Sequence, residues 1–304
     1  MLQETTLSPK ALEMAKASID YSSYTYREKY PFHHKKRTGE KSIISHDLEK
    51  DFYSYRKDLS YNNKDLTYFR PYYNYMKFHF GNLSYMSCVK DCEPSKYAKK
   101  NHLHFNSHTL TLIDSLVKEK HLKDNLYRNV AMDYLLKVRD NEKNNKIFLD
   151  EFLKLSANNK HIDEIKHLFE RIKRVQPNSE IPHVMVYTTE DDEVSLKTIA
   201  SSNKEVVFYL WTGTRNRRFD TTTARVAFLK TKYPQYTFVG INYNTDPARW
   251  RSMIESKGLD PATQFRSDDT KGLVEALVIE YPNKSIITKD GRIADAFADI
   301  YASF

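Results

Sequence analysis

Residues 206–219, VVFYLWTGTRNRRF, constrain the fold of this chain more than any other stretch. The unbroken apolar and aromatic run from Val206 to Trp211 is typical of a strand that is buried on both faces, as in a parallel sheet. The polar, basic turn after it predicts the start of a helix. A buried strand that leads directly into a helix indicates an α/β layer around this point of the chain.

The rest of the C-terminal part continues the alternation of strands and helices. A hairpin is predicted over residues 183–194 around an acidic turn, and a short helix over 195–202. A helix at 221–232 leads to a second buried strand at 236–243, and helices are expected around 247–257 and 269–278. The last strands, 284–288 and 292–296, flank Lys289-Asp290-Gly291, which is a strong hairpin signal. This pattern predicts a mixed sheet flanked by helices.

The part of the chain before residue 176 is predicted to be helical. We expect a linker with one short helix over residues 1–45, in which the basic run 33–37, HHKKR, is an exposed loop. An all-α domain of antiparallel helices is expected over 46–176 and the α/β domain over 181–304, because proline and polar residues interrupt the pattern between them. The predicted helices of the all-α domain begin near His46, Pro71, Ser107, Asp124, Asn141 and Asp163.

Composition excludes some classes of function. The net charge is +8, but the 48 basic residues are scattered among 40 acidic ones, so no nucleic-acid partner is expected. No apolar run approaches the ~18 residues that a membrane-spanning helix needs. The first residues also lack the basic and apolar regions of a signal peptide.

Cys88 and Cys92 are the chain's 2 cysteines. Their C-x3-C spacing suits neither a C-x2-C redox pair nor the usual pairs of zinc ligands, so both are expected to be small, semi-buried residues. His104 and His108 are four residues apart, but the start of a helix at Ser107 explains that spacing by capping and packing. We therefore predict no metal site and no cofactor.

Short segments after residue 180 resemble, in the same order, the thioredoxin-like domain of bacterial TlpA and AhpC/TSA-type proteins. The matching segments are Ile181-Pro182, Leu196, 206–211, 238–242, 280–287 and 290–293. The helical sequence DFYSYRKDL…YFRPYYNYMKFHFGNLSYMSC is similar to the segment that precedes this domain in envelope proteins of Bacteroidetes type. The resemblance implies a location in the periplasm or cell envelope of a Gram-negative bacterium. Those proteins are usually longer, so the chain is expected to be a piece of one.

The turn that carries the chemistry in this family is altered here. The family pattern is W-C-x-x-C, with a cysteine at a helix start where its thiol pKa is lowered. Aligning Trp211 with the first tryptophan of the family, which lies upstream of the one in this pattern, puts Arg215 and Arg218 at the two cysteine positions. The altered turn consists of Trp211, Thr212, Gly213, Thr214, Arg215, Asn216, Arg217 and Arg218. No cysteine follows residue 92, so this domain is expected to lack dithiol chemistry of its own.

The resemblance also implies a second half of the site, at Tyr281, Pro282 and Asn283. This segment matches the cis-proline loop of the family. A cis peptide bond is therefore expected before Pro282, beside the turn, where such a loop holds extended peptide by short β-type pairing.

The basic turn itself is a candidate anion site. A carboxylate or phosphate at Arg215 and Arg218 would be held by a helix start and a guanidinium fork. The alternative is that these arginines are solvated, or pair with Asp220 and the acidic turn at 190–193.

Three functional hypotheses follow. The first is a redox-inactive thioredoxin-like protein without catalytic residues that binds a peptide or protein partner through the turn and the Pro282 loop. The second is a component of thiol–disulfide exchange that depends on a partner's cysteines. The third is an enzyme that binds an anionic substrate at the arginine turn.

Overall fold

The computed structural model describes residues 8–39, 48–49, 51–91, 102–214 and 216–304, with backbone only at 35–36, 89–91 and 216. The chain divides into two compact units, Met1–Lys166 and His167–Phe304. The first is helical, and the second contains a seven-stranded mixed sheet flanked by helices. The predicted fold class is confirmed.

Long helices form the first unit. They are α1 (Pro9–Thr38), α2 (Arg70–Asp91), α3 (His102–Leu116), α4 (Lys120–Asp133), α5 (Glu142–Leu155) and α6 (Ile162–Arg174), within which the division between the units falls. A π-helical turn, Tyr134–Val138, follows α4, and two 3-10 turns, Ser54–Asp58 and Lys64–Leu66, lie between α1 and α2. Helix α1 packs on α2, α2 packs on α3, and α3 packs on α5.

The prediction of a short first helix and an exposed loop at 33–37 is wrong. Helix α1 has 30 residues and continues through Pro31, so His33 lies within it. A proline inside a helix removes one backbone hydrogen bond. Glu28 and Pro31 are both buried, and their packing outweighs that loss because most helical stability in proteins comes from tertiary contacts.

The helix predicted at 46–59 is also wrong within the described residues, where the chain forms the 3-10 turn Ser54–Asp58. Tyr55 and Arg56 both donate hydrogen bonds to Glu28 on α1. These two hydrogen bonds tie the segment to α1.

Some of the predicted helix starts are confirmed and others are wrong. Asn141 caps α5 as expected, and its side chain accepts a hydrogen bond from the Asn144 N–H at 2.9 Å. Ser107 and Asp124 lie inside α3 and α4 instead of capping them. Helix α4 is capped by Glu119, whose carboxylate accepts from two backbone N–H groups.

A buried carboxylate organises the interior of the helical unit. The Glu28 side chain accepts hydrogen bonds from the Tyr55 hydroxyl at 2.8 Å, from Arg56 Nε at 2.9 Å and from Asn82 Nδ2 at 2.6 Å. His79 Nδ1 lies 2.8 Å from the same carboxylate. Burial acts to raise the pKa of Glu28, but the hydrogen bonds from His79 and Arg56 outweigh it and hold the pKa below its usual value of 4.5.

The strands of the second unit are β1 (Met185–Tyr187), β2 (Glu193–Ser195), β3 (Glu205–Trp211), β4 (Thr237–Tyr243), β5 (Gln264–Ser267), β6 (Lys284–Lys289) and β7 (Arg292–Asp299). Its helices after α6 are α7 (Leu196–Ser201), α8 (Asn216–Lys232), α9 (Pro247–Ser256) and α10 (Thr270–Ala276). The sheet order is β2-β1-β5-β4-β3-β6-β7. Strands β3, β4 and β5 are parallel neighbours, and β6 runs antiparallel to β3 and β7.

Strand β3 lies between β4 and β6, and all its residues from Val206 onward are buried. The hairpin between β6 and β7 is confirmed: Asp290 and Gly291 have φ of 49° and 76°, as a tight two-residue turn requires. Strand β5 was missed because its sequence, QFRS, is mostly polar. Those polar side chains are buried with partners, since Gln264 contacts Trp211 and Arg266 contacts Asp191.

We expect Glu28→Gln to lower the free energy of unfolding of the helical unit by on the order of 3 kcal/mol near neutral pH, because Arg56 loses its buried countercharge. The folded pKa of Glu28 lies below 4.5, so its contribution is present above that pH and is lost as the pH falls through the folded value. The difference in the free energy of unfolding between wild type and variant should therefore become smaller at acid pH. Urea unfolding followed by far-UV circular dichroism over a pH series measures this difference.

The matched control is Glu164→Gln, which breaks the ion pair with Arg128 on a surface where both side chains are about two fifths exposed, 41% and 37%. An exposed pair of this kind contributes about 0–1 kcal/mol. Equal effects of the two substitutions at every pH would contradict the role assigned to Glu28.

Candidate functional site

The turn predicted to carry the site lies at the carboxyl end of β3. Strand β3 ends at Trp211, which is paired with Asn242 near the end of β4, and helix α8 begins at Asn216. Because β3 and β4 are parallel, both strands end at the same edge of the sheet. Residues that follow these strands therefore lie close together, as in other open α/β sheets.

Gly213 lets the turn approach the loop after β4. Its N–H donates a 2.7 Å hydrogen bond to Thr245 Oγ1. A Cβ atom at this position would lie 2.5 Å from Thr245 Cγ2 and 2.9 Å from Met253 Sδ. No side chain larger than that of glycine fits unless those neighbours move.

Trp211 anchors the start of the turn. Its ring is buried, its Nε1–H donates to Gln264 Oε1 at 3.2 Å, and its centroid is 4.5 Å from that of Phe219 on α8. Gln264 Nε2 also donates to the Tyr209 hydroxyl at 3.0 Å. Burial raises the pKa of Tyr209 to about 12, so this hydroxyl stays neutral.

A cavity of about 290 Å³ lies beside the turn. It brings together five of the predicted site residues, which are Trp211, Thr212, Thr214, Arg218 and Pro282. It is completed by Leu210, Phe219, Thr222, Tyr243 and Asn244. Thr222, Tyr243 and Asn244 were not predicted as site residues. Tyr243 is the last residue of the parallel strand β4 and Asn244 directly follows it, a position that indicates the functional edge of such a sheet.

Arg218 is the charged group of this cavity. Its guanidinium Nη2 donates to Asn283 Oδ1 at 2.5 Å, so the side chain joins the turn to the Pro282 segment. Within the described part of the chain, no carboxylate pairs with Arg218. Arg217 is exposed, whereas Arg215 and the side chain of Asn216 lie outside the described residues.

Two of the acidic residues proposed as partners of these arginines, Asp220 and Asp191, pair with other cations. Asp220 Oδ1 lies 2.8 Å from Lys257 Nζ. Asp191, in the acidic turn, accepts from Arg251 at 2.5 Å and from Arg266 at 2.6 Å.

The predicted cis bond before Pro282 is wrong, because the described residues contain no cis peptide bond. The Lys284 N–H donates to the Tyr281 carbonyl at 3.3 Å, which places Pro282 second in a four-residue turn. That position favours a trans proline with its fixed φ. The carbonyl of Asn283 also accepts a hydrogen bond within the chain, from the Ile300 N–H at 3.0 Å. The predicted pairing of a peptide backbone with this loop would therefore find few backbone carbonyl groups that can still accept a hydrogen bond.

The remaining predicted residues lie in the helical unit. Cys88 is buried, with its Sγ 2.9 Å from His108 Nδ1, whereas Cys92 lies outside the described residues. Among the residues that the structure describes, no group of three His, Cys, Asp or Glu side chains has the geometry of a metal site. None of the described helices is long and apolar enough to cross a membrane.

The comparisons with known proteins concern the fold. No protein-family model and no curated protein matches the sequence. Among solved structures, the thioredoxin domain of a thiol-disulfide oxidoreductase from Bacteroides vulgatus is 20% identical, covers 39% of this chain and 85% of its own, and has a TM-score of 0.33. A thiol:disulfide interchange protein from a Bacteroides species is 20% identical, with 40% and 80% covered and a TM-score of 0.33.

A thioredoxin-like protein from Bacteroides caccae matches over a larger share of the chain. It covers 75% of this chain and 90% of its own at 11% identity, with a TM-score of 0.44.

We expect Gly213→Ala to lower the free energy of unfolding of the second unit by about 1–2 kcal/mol, because the new methyl group overpacks the contact with Thr245 and Met253. The control is Gly81→Ala in the helical unit, where an added Cβ meets no atom within 4 Å. This change should be neutral or stabilising, since alanine is the better helix former. Thermal unfolding of both variants measures the difference, and a Gly213→Ala protein as stable as wild type would contradict the close packing.

Proposed function

We propose that the second unit is a thioredoxin-like module that performs no dithiol chemistry and binds a peptide or protein partner through its turn face. This face consists of the turn 212–218 together with Pro282 and Asn283. The partner presents a carboxylate, either an acidic side chain or a chain terminus, to Arg218.

The observation that carries this proposal is the environment of Arg218. It is a half-buried cation that lines a cavity, is oriented by Asn283, and has no carboxylate partner among the described residues. A partly desolvated guanidinium gains most from an anion that accepts two parallel hydrogen bonds. The start of α8, a helix of 17 residues, adds partial positive charge at the same end of the cavity.

The size of the cavity is compatible with part of a larger partner. Its volume of about 290 Å³ is at the lower limit of cavities that enclose drug-sized ligands. One carboxylate side chain, or the last residue of a peptide, fits into such a space. Thr212 and Thr214 supply hydroxyl groups at the wall for the remaining oxygen atoms of the partner.

The absence of cysteine after residue 92 supports the redox-inactive part of the proposal. Thiol–disulfide exchange begins with attack by a thiolate, and arginine provides no such nucleophile. We further propose a location in the cell envelope of a Gram-negative bacterium, based on the sequence resemblance described above. Fractionation of the native host cells, with detection of the full-length protein, tests that location.

We expect the purified protein to bind acidic peptides with a free C-terminal carboxylate and to bind the same peptides with an amidated C-terminus more weakly. Arg218→Gln should remove this preference, because a neutral amide cannot form the charge-assisted pair, with a loss of about tenfold or more in affinity. Isothermal titration calorimetry with a matched panel of acid and amide peptides measures the effect.

Arg217→Gln is the matched control, since it removes the same charge from an exposed neighbour and should leave the preference intact. Equal losses of peptide affinity in the two variants would mean that only the net charge of the protein matters, and would contradict a site at Arg218. Turnover of insulin disulfides by the purified chain would contradict the redox-inactive assignment separately.

A further inference from the structure

The loop after β4 carries a second polar group of the cavity beside the turn. Asn244 directly follows β4, is exposed, and lines the same cavity as Arg218. We propose that the side-chain amide of Asn244 binds a main-chain peptide group of the partner, close to the carboxylate that Arg218 holds. This inference rests on the function proposed above and adds recognition of the partner's backbone to recognition of its charge.

Asn244 has a backbone conformation that is uncommon for residues other than glycine. Its φ is 53°, in the left-handed region. Asparagine tolerates this region better than most residues because its short polar side chain can form hydrogen bonds with the nearby backbone. As far as the structure describes the chain, the Asn244 amide forms no hydrogen bond of this kind. The side chain is therefore not used to stabilise its own turn.

The neighbours of Asn244 do have structural roles. The Tyr243 carbonyl accepts from Thr245 Oγ1 at 3.3 Å, and the same Thr245 oxygen accepts from the Gly213 N–H. The Asp246 carboxylate accepts from two backbone N–H groups and caps α9. These hydrogen bonds hold the loop on both sides of Asn244, so the position of its backbone at the cavity is fixed.

A primary amide matches the hydrogen-bonding groups of a peptide bond. It has one carbonyl acceptor and two N–H donors, so Asn244 can accept from a peptide N–H and donate to a peptide carbonyl. Glycine would adopt the same φ but has no side chain. Aspartate also occurs in this region, but its negative charge would repel a carboxylate at Arg218. Of these three residue types, only asparagine offers a donor and an acceptor without negative charge.

The order of the strands places Asn244 within reach of a peptide whose carboxylate binds Arg218. Asn244 follows β4, Asn283 precedes β6 and orients Arg218, and β3 lies between these two strands. Neighbouring strands lie about 4.8 Å apart, so the ends of β4 and β6 are separated by about 10 Å. One extended residue spans about 3.4 Å. The Asn244 amide therefore reaches one of the two peptide bonds that join the last three residues of a C-terminal peptide.

The test combines a change in the peptide with a change in the protein. The parent is an acidic peptide with a free C-terminal carboxylate, and in two analogues the last or the penultimate peptide bond is an ester, which lacks the N–H donor. We expect one of the esters to bind the wild-type chain about three- to tenfold more weakly than the parent in calorimetric titrations. Asn244→Gly should weaken binding of the parent by a similar factor. The same ester should then bind this variant within about twofold of the parent, because the two changes remove one shared hydrogen bond.

Asn178→Gly is the matched control. Asn178 also has a positive φ, 69°, but it lies between α6 and β1 and does not line the cavity. This variant should bind all three peptides as the wild type does. Since glycine adopts a positive φ without strain, the thermal unfolding midpoints of both variants should stay close to that of the wild type, which separates loss of binding from loss of folding.

Two results would overturn the role of Asn244. One is an Asn244→Gly protein that binds the parent peptide as tightly as the wild type, and the other is equal affinity of the wild type for the parent and both esters. If Arg218→Gln still removes the preference for a free carboxylate in either case, the function proposed above stands without Asn244. Absence of peptide binding by the wild type would overturn both.

Discussion

The central position of β3 is the constraint on which the second unit depends. This strand pairs in parallel with β4 through Trp211 and Asn242, and in antiparallel fashion with β6 through Tyr209 and Ser285. The end of β3 is therefore flanked by the end of β4 on one side and by the beginning of β6 on the other. Thr212, Thr214 and Arg218 therefore meet Pro282, which precedes β6, at the cavity.

Buried side-chain hydrogen bonds stabilise the end of β3. Gln264 on β5 accepts from Trp211 and donates to Tyr209, so one amide joins β5 to two residues of β3. At the surface, Arg218 joins the turn to Asn283. In a dithiol protein a thiolate is the reactive group of such a turn, whereas here the cavity wall carries a permanent positive charge. The guanidinium of Arg218 is suited to attract and orient an anion.

The helical unit depends on a different interaction, the burial of Glu28 among its donors. Tyr55 and Arg56 come from the 3-10 turn, and His79 and Asn82 come from α2. A buried carboxylate with this many partners ties three segments of the chain together, and removing any donor leaves charge or hydrogen-bonding capacity unmatched.

The sequence by itself determined the alternation of strands and helices around β3 and β4, the hairpin between β6 and β7, and the absence of cysteine after residue 92. Long apolar runs such as 206–211, glycine-containing turns such as Asp290-Gly291 and the identity of residues at a turn are local properties. Only the tertiary structure decided the extent of α1, the 3-10 turn at Tyr55, the burial of the polar strand β5 and the trans bond before Pro282. Each of these depends on a partner distant in the sequence or on the surrounding turn, and local propensity is outweighed when a buried polar group must be paired.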